Sequence, residues 1–134
     1  MLLAEIEATN FRNLSGKIVW GPQLNIIYGN NGQGKTSWLE AIHLLARTKS
    51  FRTQRLQETI KFGERIATIS GRVIAGVDLE RDLQVTLQDN SKTILVNAKR
   101  EASDSLSITA YKCSRLRQPI WTSFVGCQKL VAGF

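Results

Sequence analysis

The segment from Gly29 to Thr36, Gly-Asn-Asn-Gly-Gln-Gly-Lys-Thr, constrains this chain more than any other. It satisfies the pattern G-x-x-x-x-G-K-[ST]. It sits between the β-branched run Leu24-Asn-Ile-Ile-Tyr28 and a helical pattern from Trp38 to Ala46. Glycines at these positions permit a tight loop whose backbone N–H groups converge on phosphate oxygens, and the following helix N-terminus adds partial positive charge. In that arrangement Gly29, Asn30, Asn31, Gly32, Gln33 and Gly34 form the cradle. Lys35 reaches the β- and γ-phosphates, and Thr36 offers its hydroxyl to the Mg²⁺ that bridges them. A glycine turn that merely joins strand to helix is the alternative; the strand before it and the amphipathic helix after it favour phosphate binding.

The flanking pattern reads as α/β. Leu2–Phe11 alternates loosely as a strand, with a turn over Asn13–Gly16, and Lys17–Trp20 is a second strand closed by Gly21-Pro22. The run Leu24–Tyr28 is expected to be a strand buried on both faces of a parallel sheet. Within the helix, Trp38, Leu39, Ala41, Ile42, Leu45 and Ala46 form the apolar face, and Glu40, His43 and Arg47 a polar stripe. That places His43 toward solvent, with no partner at metal-ligand spacing. The polar stretch from Lys49 to Arg65 reads as a loop with a short helix. Residues 66–76, 79–89 and 92–98 alternate at period two, which predicts an antiparallel meander.

A chain of 134 residues with 43% apolar and 22% charged side chains is long enough for one core. Cys113 and Cys127 form no CxxC pair, the first residues carry acids where a signal peptide needs bases, and no apolar run approaches the ~20 residues that span a bilayer. A cytoplasmic protein with no membrane association is expected. The net charge of +7 is unevenly spread: residues 1–106 carry 14 basic and 11 acidic side chains, whereas 107–134 carry Lys112, Arg115, Arg117 and Lys129 and no acid.

Three stretches together carry a family resemblance: Asn10-Phe-Arg-Asn13, Leu24 to Thr53, and Ile69-Ser-Gly-Arg-Val73. Over residues 1–106 the chain resembles the N-terminal part of the RecF family, ABC-type P-loop ATPases related to SMC heads. The resemblance implies lobe I of such a head, with an antiparallel β subdomain. It also implies ATP as the nucleotide, ATP-dependent homodimerisation, and binding to single-stranded or gapped DNA. Action with RecR and RecO in loading RecA, within DNA repair, replication and the SOS response, is implied as well. By the same resemblance Arg12 and Asn13 lie beside the base or ribose. Lys49, Arg52, Arg55, Lys61 and Arg65 are candidates for DNA phosphates, with a solvated basic loop as the alternative.

Residues 1–106 contain neither the second acidic motif nor the signature segment that hydrolysis requires. Val73-Ile-Ala-Gly-Val-Asp-Leu-Glu80 comes nearest, but Gly76 interrupts it and a hairpin turn explains it better. The fragment is therefore expected to hold nucleotide without turning it over. Other SMC-like or ABC-type ATPases, and small P-loop nucleotide kinases, are the alternative readings.

The tail, residues 107–134, matches nothing expected of the family in its own frame. Back-translated and read one base earlier, Pro119 through Phe134 permit D-L-D-L-V-R-G-x-P-E-x-R-R-R-F. That resembles the family's next segment, which implies a frame shift near Leu106 or Ser107. The alternative is a genuine tail whose Ile120, Trp121, Phe124, Val125, Leu130, Val131 and Phe134 pack on an exposed sheet.

Overall fold

The computed structural model describes residues 2–74, 80–89, 91–101 and 129–132. Strand β1 (Leu2–Phe11) pairs on one side with β2 (Leu14–Val19) and on the other with β4 (Ile66–Ile74), antiparallel in both cases. The meander continues through β5 (Glu80–Gln88), β6 (Ser91–Val96) and β7 (Lys99–Glu101), giving a six-stranded antiparallel sheet in the order β2-β1-β4-β5-β6-β7. Strand β3 (Leu24–Ile27), which precedes the glycine loop, stands apart. It pairs in parallel with β8 (Lys129–Ala132), so the described strands form two sheets.

The loose alternation of β1 has a physical cause. Its buried residues are Leu3, Ile6, Ala8 and Phe11, a spacing that breaks period two twice. Pairing shifts register between Leu3 and Glu5 against β4, and between Ala8 and Phe11 against β2. Each irregularity flips the phase of the strand, which keeps apolar side chains on the core face despite the interruptions. The turn after β1 is also tighter than the expected Asn13–Gly16. Phe11 pairs with Leu14, so only Arg12 and Asn13 lie between them, with Arg12 at φ +55°.

Helix α1 (Lys35–Arg47) covers the inner face of β1, β4 and β5. Its Ala41, Ile42, Leu44 and Leu45 are buried against a core that includes Ile6, Ile69, Val85 and Leu87. Contact is closest at Gly71: a Cβ there would meet Leu45 Cδ2 at 2.5 Å and the Glu5 carbonyl oxygen at 3.2 Å. The helix ends at Thr48, whose N–H donates to the Leu44 carbonyl at 2.7 Å. The Lys92 ammonium donates to the Thr48 carbonyl at 2.7 Å, a cation at the negative end of the helix.

On the outer face, Lys17 Nζ lies 2.9 Å from Glu5 Oε2, and Arg72 reaches both Glu5 at 3.6 Å and Asp82 at 3.4 Å. The Lys17 hydrogen bond holds the Glu5 carboxyl below the ordinary glutamate range; the nearby positive charges add to that, and desolvation opposes it. This ladder crosses four strands on the solvent side.

Two expectations are corrected here. Strand β3 is not buried on both faces: Leu24, Ile26 and Tyr28 are 55%, 59% and 86% exposed. Glu40 does not belong to a solvent stripe with His43 and Arg47, because it is fully buried. His43 is half-buried, its Nδ1 is 2.8 Å from the Lys49 carbonyl, and its ring meets Phe51 edge-on at 5.3 Å. No helix among the described residues is long and apolar enough to cross a membrane. Residues 75–79, which hold most of the nearest candidate for an acidic motif, lie outside the described residues, as do 107–128 and 133–134 of the tail.

Candidate nucleotide-binding site

The loop between β3 and α1 takes the shape its glycines allow. Gly32 and Gly34 have φ of +84° and +94°, values that an L-residue with a Cβ rarely adopts. Gly34 also has no room for one, since an added Cβ would lie 2.7 Å from Leu14 Cδ2 and 3.3 Å from the Asn13 amide. The space above Gly32 is open to 4 Å. Gln33 closes the loop from within: its Oε1 accepts from the Asn30 N–H at 3.0 Å. The Trp38 N–H then bonds to the Gly34 carbonyl at 2.9 Å, the first turn of the helix.

Lys35 folds back over the loop, its ammonium donating to the carbonyls of Gly29 at 2.7 Å and Asn30 at 3.0 Å. Two of its three N–H donors are thus spent on exposed backbone oxygens, partners that an anion in the cradle would readily replace. Thr36 is exposed at the start of the helix. Asn13, from the β1–β2 turn, donates to the Gly32 carbonyl at 3.1 Å and so braces the loop from the side.

Arg12 is engaged differently from its neighbour. Its Nε and Nη2 form a two-pronged pair with the Glu40 carboxylate at 3.1 and 3.0 Å, and its Nη1 donates to the Glu58 carbonyl at 2.8 Å. Glu40 also accepts from the Ser50 hydroxyl at 2.6 Å and lies 3.5 Å from Arg52 Nη1. Its burial had a signal in the sequence: Ser37, Glu40, Ala41, Leu44, Leu45 and Thr48 recur at i, i+3, i+4, i+7, i+8 and i+11, and all are buried. Glu40 is the acid in the middle of that stripe.

An open cleft of about 800 Å³ adjoins the loop, lined in part by Arg12, Asn13, Ser37, Arg52, Lys61, Phe62 and Arg65. Phe62 is fully exposed there. Of the five basic candidates, all exposed, Arg52, Lys61 and Arg65 line this cleft, whereas Lys49 and Arg55 do not. Glu58, Glu64 and Asp89 line it as well, so its charge is mixed. Among the described residues no group of three or more His, Cys, Asp or Glu side chains is placed to hold a metal ion.

Residues 2–118 match the family described as RecF/RecN/SMC N terminal domain. The DNA replication and repair protein RecF of Geobacter sp. (strain M21) is 40% identical over 100 residues, 74% of this chain and 27% of that protein. The protein of the same name from Lactobacillus johnsonii (strain CNCM I-12250 / La1 / NCC 533) is 44% identical over 98 residues, 72% of this chain and 26% of that one. Among solved structures, the recombination mediator protein RecF-ATP in the RecFOR pathway superposes with a TM-score of 0.71 at 36% identity, covering 76% of this chain and 28% of that one. The corresponding RecF-ATPrS structure gives 0.72 at 34% identity, covering 78% and 29%. The chain thus spans about a quarter of the length of the curated relatives it matches.

Proposed function

Because this chain belongs to the RecF/RecN/SMC N-terminal domain family, we propose that it is the nucleotide-holding first lobe of a RecF-type, ATP-dependent DNA repair and replication protein. The fold is the first lobe of an ABC/SMC-type P-loop head, and the antiparallel sheet is its β subdomain. The observation that carries the functional reading is the cradle itself: glycines at positive φ, a helix N-terminus, and Lys35 parked on exposed carbonyls at its rim.

The residues fit a triphosphate with Mg²⁺. Backbone N–H groups of the loop and of the helix N-terminus are the donors proposed for the anion, with Gln33 N–H giving up its 3.4 Å bond to the Asn30 carbonyl, and Lys35 exchanges its two carbonyl partners for phosphate oxygens. Thr36 presents a hydroxyl to the metal, which supplies charge neutralisation between the outer phosphates when bound. Asn13 fixes the loop by its bond to Gly32, and the cleft beside Arg12 and Asn13 leaves space for base and ribose. Arg52, Lys61 and Arg65, which line the cleft, and Lys49 and Arg55, which do not, are the groups proposed to meet DNA phosphates, of single strands or gapped duplex. RecR, RecO, ATP-dependent homodimerisation and a cytoplasmic location are assigned to the full-length protein on the same premise. A nucleotide kinase is disfavoured, because an antiparallel meander follows α1 where a kinase carries a lid and acceptor site.

Residues 1–106 lack the acidic and signature motifs, so binding without turnover is the expected result. Titration with a fluorescent ATP analogue should saturate, while phosphate release stays at the uncatalysed level; release at enzyme-like rates would refute the assignment of an incomplete site.

The tail is proposed to be an out-of-frame product, its acid-free composition reflecting codons rather than a DNA-binding role. Lys129–Ala132 pairs with β3 from Leu24↔Lys129 to Ile27↔Ala132. An unpaired strand edge accepts any compatible strand, so this pairing is compatible with both origins of the tail. Reading the gene past codon 106 separates them: an uninterrupted relative of RecF recovered by a one-base shift is expected, and the absence of any such shifted reading would sink the proposal.

A further inference from the structure

Glu40 is the point where three separate parts of the site meet. It stands on α1, one and a half turns beyond Lys35, with its carboxylate fully buried. Arg12 Nε and Nη2 hold its two oxygens at 3.1 and 3.0 Å, and the next residue, Asn13, donates to Gly32 inside the loop at 3.1 Å. On the other side the Ser50 hydroxyl donates to Glu40 at 2.6 Å, and the Ser50 oxygen in turn accepts the N–H groups of Arg52 at 3.0 Å and Thr53 at 3.2 Å. Arg12 adds two more ties to the same segment, its backbone N–H to the Thr59 carbonyl at 2.7 Å and its Nη1 to the Glu58 carbonyl at 2.8 Å. The segment so held, Lys49 to Thr59, carries three of the five basic candidates.

We infer that Glu40 is a positioning residue that couples nucleotide in the loop to the order of the basic segment 49–59. The inference rests on the reading of the loop as a nucleotide site. A buried carboxylate keeps its partners because leaving it uncompensated is costly, so Arg12 and Ser50 are fixed relative to one another and to α1. Nucleotide that tightens the loop acts on Gly32, hence on Asn13 and the adjoining Arg12. Through Glu40 the same restraint reaches Ser50 and the two backbone N–H groups gathered on its oxygen. By linkage, a ligand that orders segment 49–59 strengthens nucleotide binding by the same factor.

Amide hydrogen exchange of the chain, with and without saturating ATP and Mg²⁺, tests this in wild type and in Glu40→Gln, which keeps the shape and removes the charge. In wild type, nucleotide should slow exchange about tenfold or more both at residues 29–36 and at 49–59, the fold-change of a coupling near the typical range. In Glu40→Gln, slowing at 29–36 should persist and slowing at 49–59 should vanish. If Glu40 served stability alone, the variant would exchange faster throughout and keep the nucleotide-dependent difference at 49–59, which overturns the inference. Wild-type slowing confined to 29–36 also overturns it and leaves the nucleotide site standing. No slowing at 29–36 overturns the nucleotide site, and the coupling with it. Should Glu40→Gln fail to fold, Ser50→Ala removes one bond at the half-buried end of the network and is expected to reduce the slowing at 49–59 severalfold; unchanged slowing there counts against the coupling.

Discussion

Arg12→Ala is expected to lower the unfolding free energy by about 3–5 kcal/mol, the cost of leaving a buried carboxylate without its partner. Glu40 is fully buried, and two of the contacts to its oxygens come from the Arg12 fork. What remains afterwards is the Ser50 hydroxyl and Arg52, whose Nη1 stands 3.5 Å away on a side chain 44% exposed. Neither replaces a two-pronged guanidinium, which matches the carboxylate in plane and at both oxygens. Backbone geometry adds a second comparison: Arg12 has φ +55°, so Arg12→Gly should be less harmful than Arg12→Ala by up to about 1 kcal/mol.

The double replacement Arg12→Leu with Glu40→Met should in turn destabilise less than Arg12→Ala alone, since no buried charge is then left over. Denaturant titration of the three variants measures all of this. A loss below about 1 kcal/mol for Arg12→Ala would mean that the Glu40 charge is held chiefly by other groups.

Lys35→Ala should act on the other axis, sharply weakening nucleotide affinity while sparing the fold. The ammonium lies on the carbonyls of Gly29 and Asn30, both exposed residues, so its loss should change stability by no more than about 0.5 kcal/mol. In the nucleotide site proposed for this loop the same ammonium would make charge-assisted bonds to phosphate, and losing them should weaken ATP binding at least ~100-fold, or about 2.7 kcal/mol. Thermal unfolding with ATP and Mg²⁺ reads both effects at once. Nucleotide at a hundred times the wild-type dissociation constant should stabilise the wild type by about 2.7 kcal/mol and Lys35→Ala by no more than about 0.4 kcal/mol. Equal stabilisation of the two proteins would show that nucleotide binds somewhere other than this loop.

The contrast between these two residues shows which parts of the site a linear reading reaches. The cradle is local: eight consecutive residues, with a strand on one side and a helix on the other, and their spacing carries the chemistry. The meander is legible for the same reason, because alternation and turn residues act within about ten positions. Arg12 and Glu40 are 28 residues apart, and their pairing depends on how the β1–β2 turn meets the helix. In sequence Glu40 reads as part of a polar stripe because charge is usually solvated; the buried stripe through Ser37, Ala41 and Leu44 is present but is outweighed by that expectation. His43 shows the same effect, since its bond to the Lys49 carbonyl exists only after the chain turns back past the end of the helix.

The β3 strand marks a different boundary. Its β-branched composition reads as burial on both faces, whereas Leu24, Ile26 and Tyr28 stand exposed. Apolar and β-branched residues show that a strand forms, but what covers its faces depends on segments elsewhere in the fold, which local composition does not specify.

By itself, the sequence determined the glycine loop, the helix that follows it and the antiparallel strands, because each is specified by neighbours in the chain. The tertiary structure alone decided that Asn13 braces the loop, that Arg12 is committed to Glu40, and that Ser50 and Arg52 join them. Those contacts follow from a buried charge finding partners wherever the fold brings them, which sequence spacing does not encode.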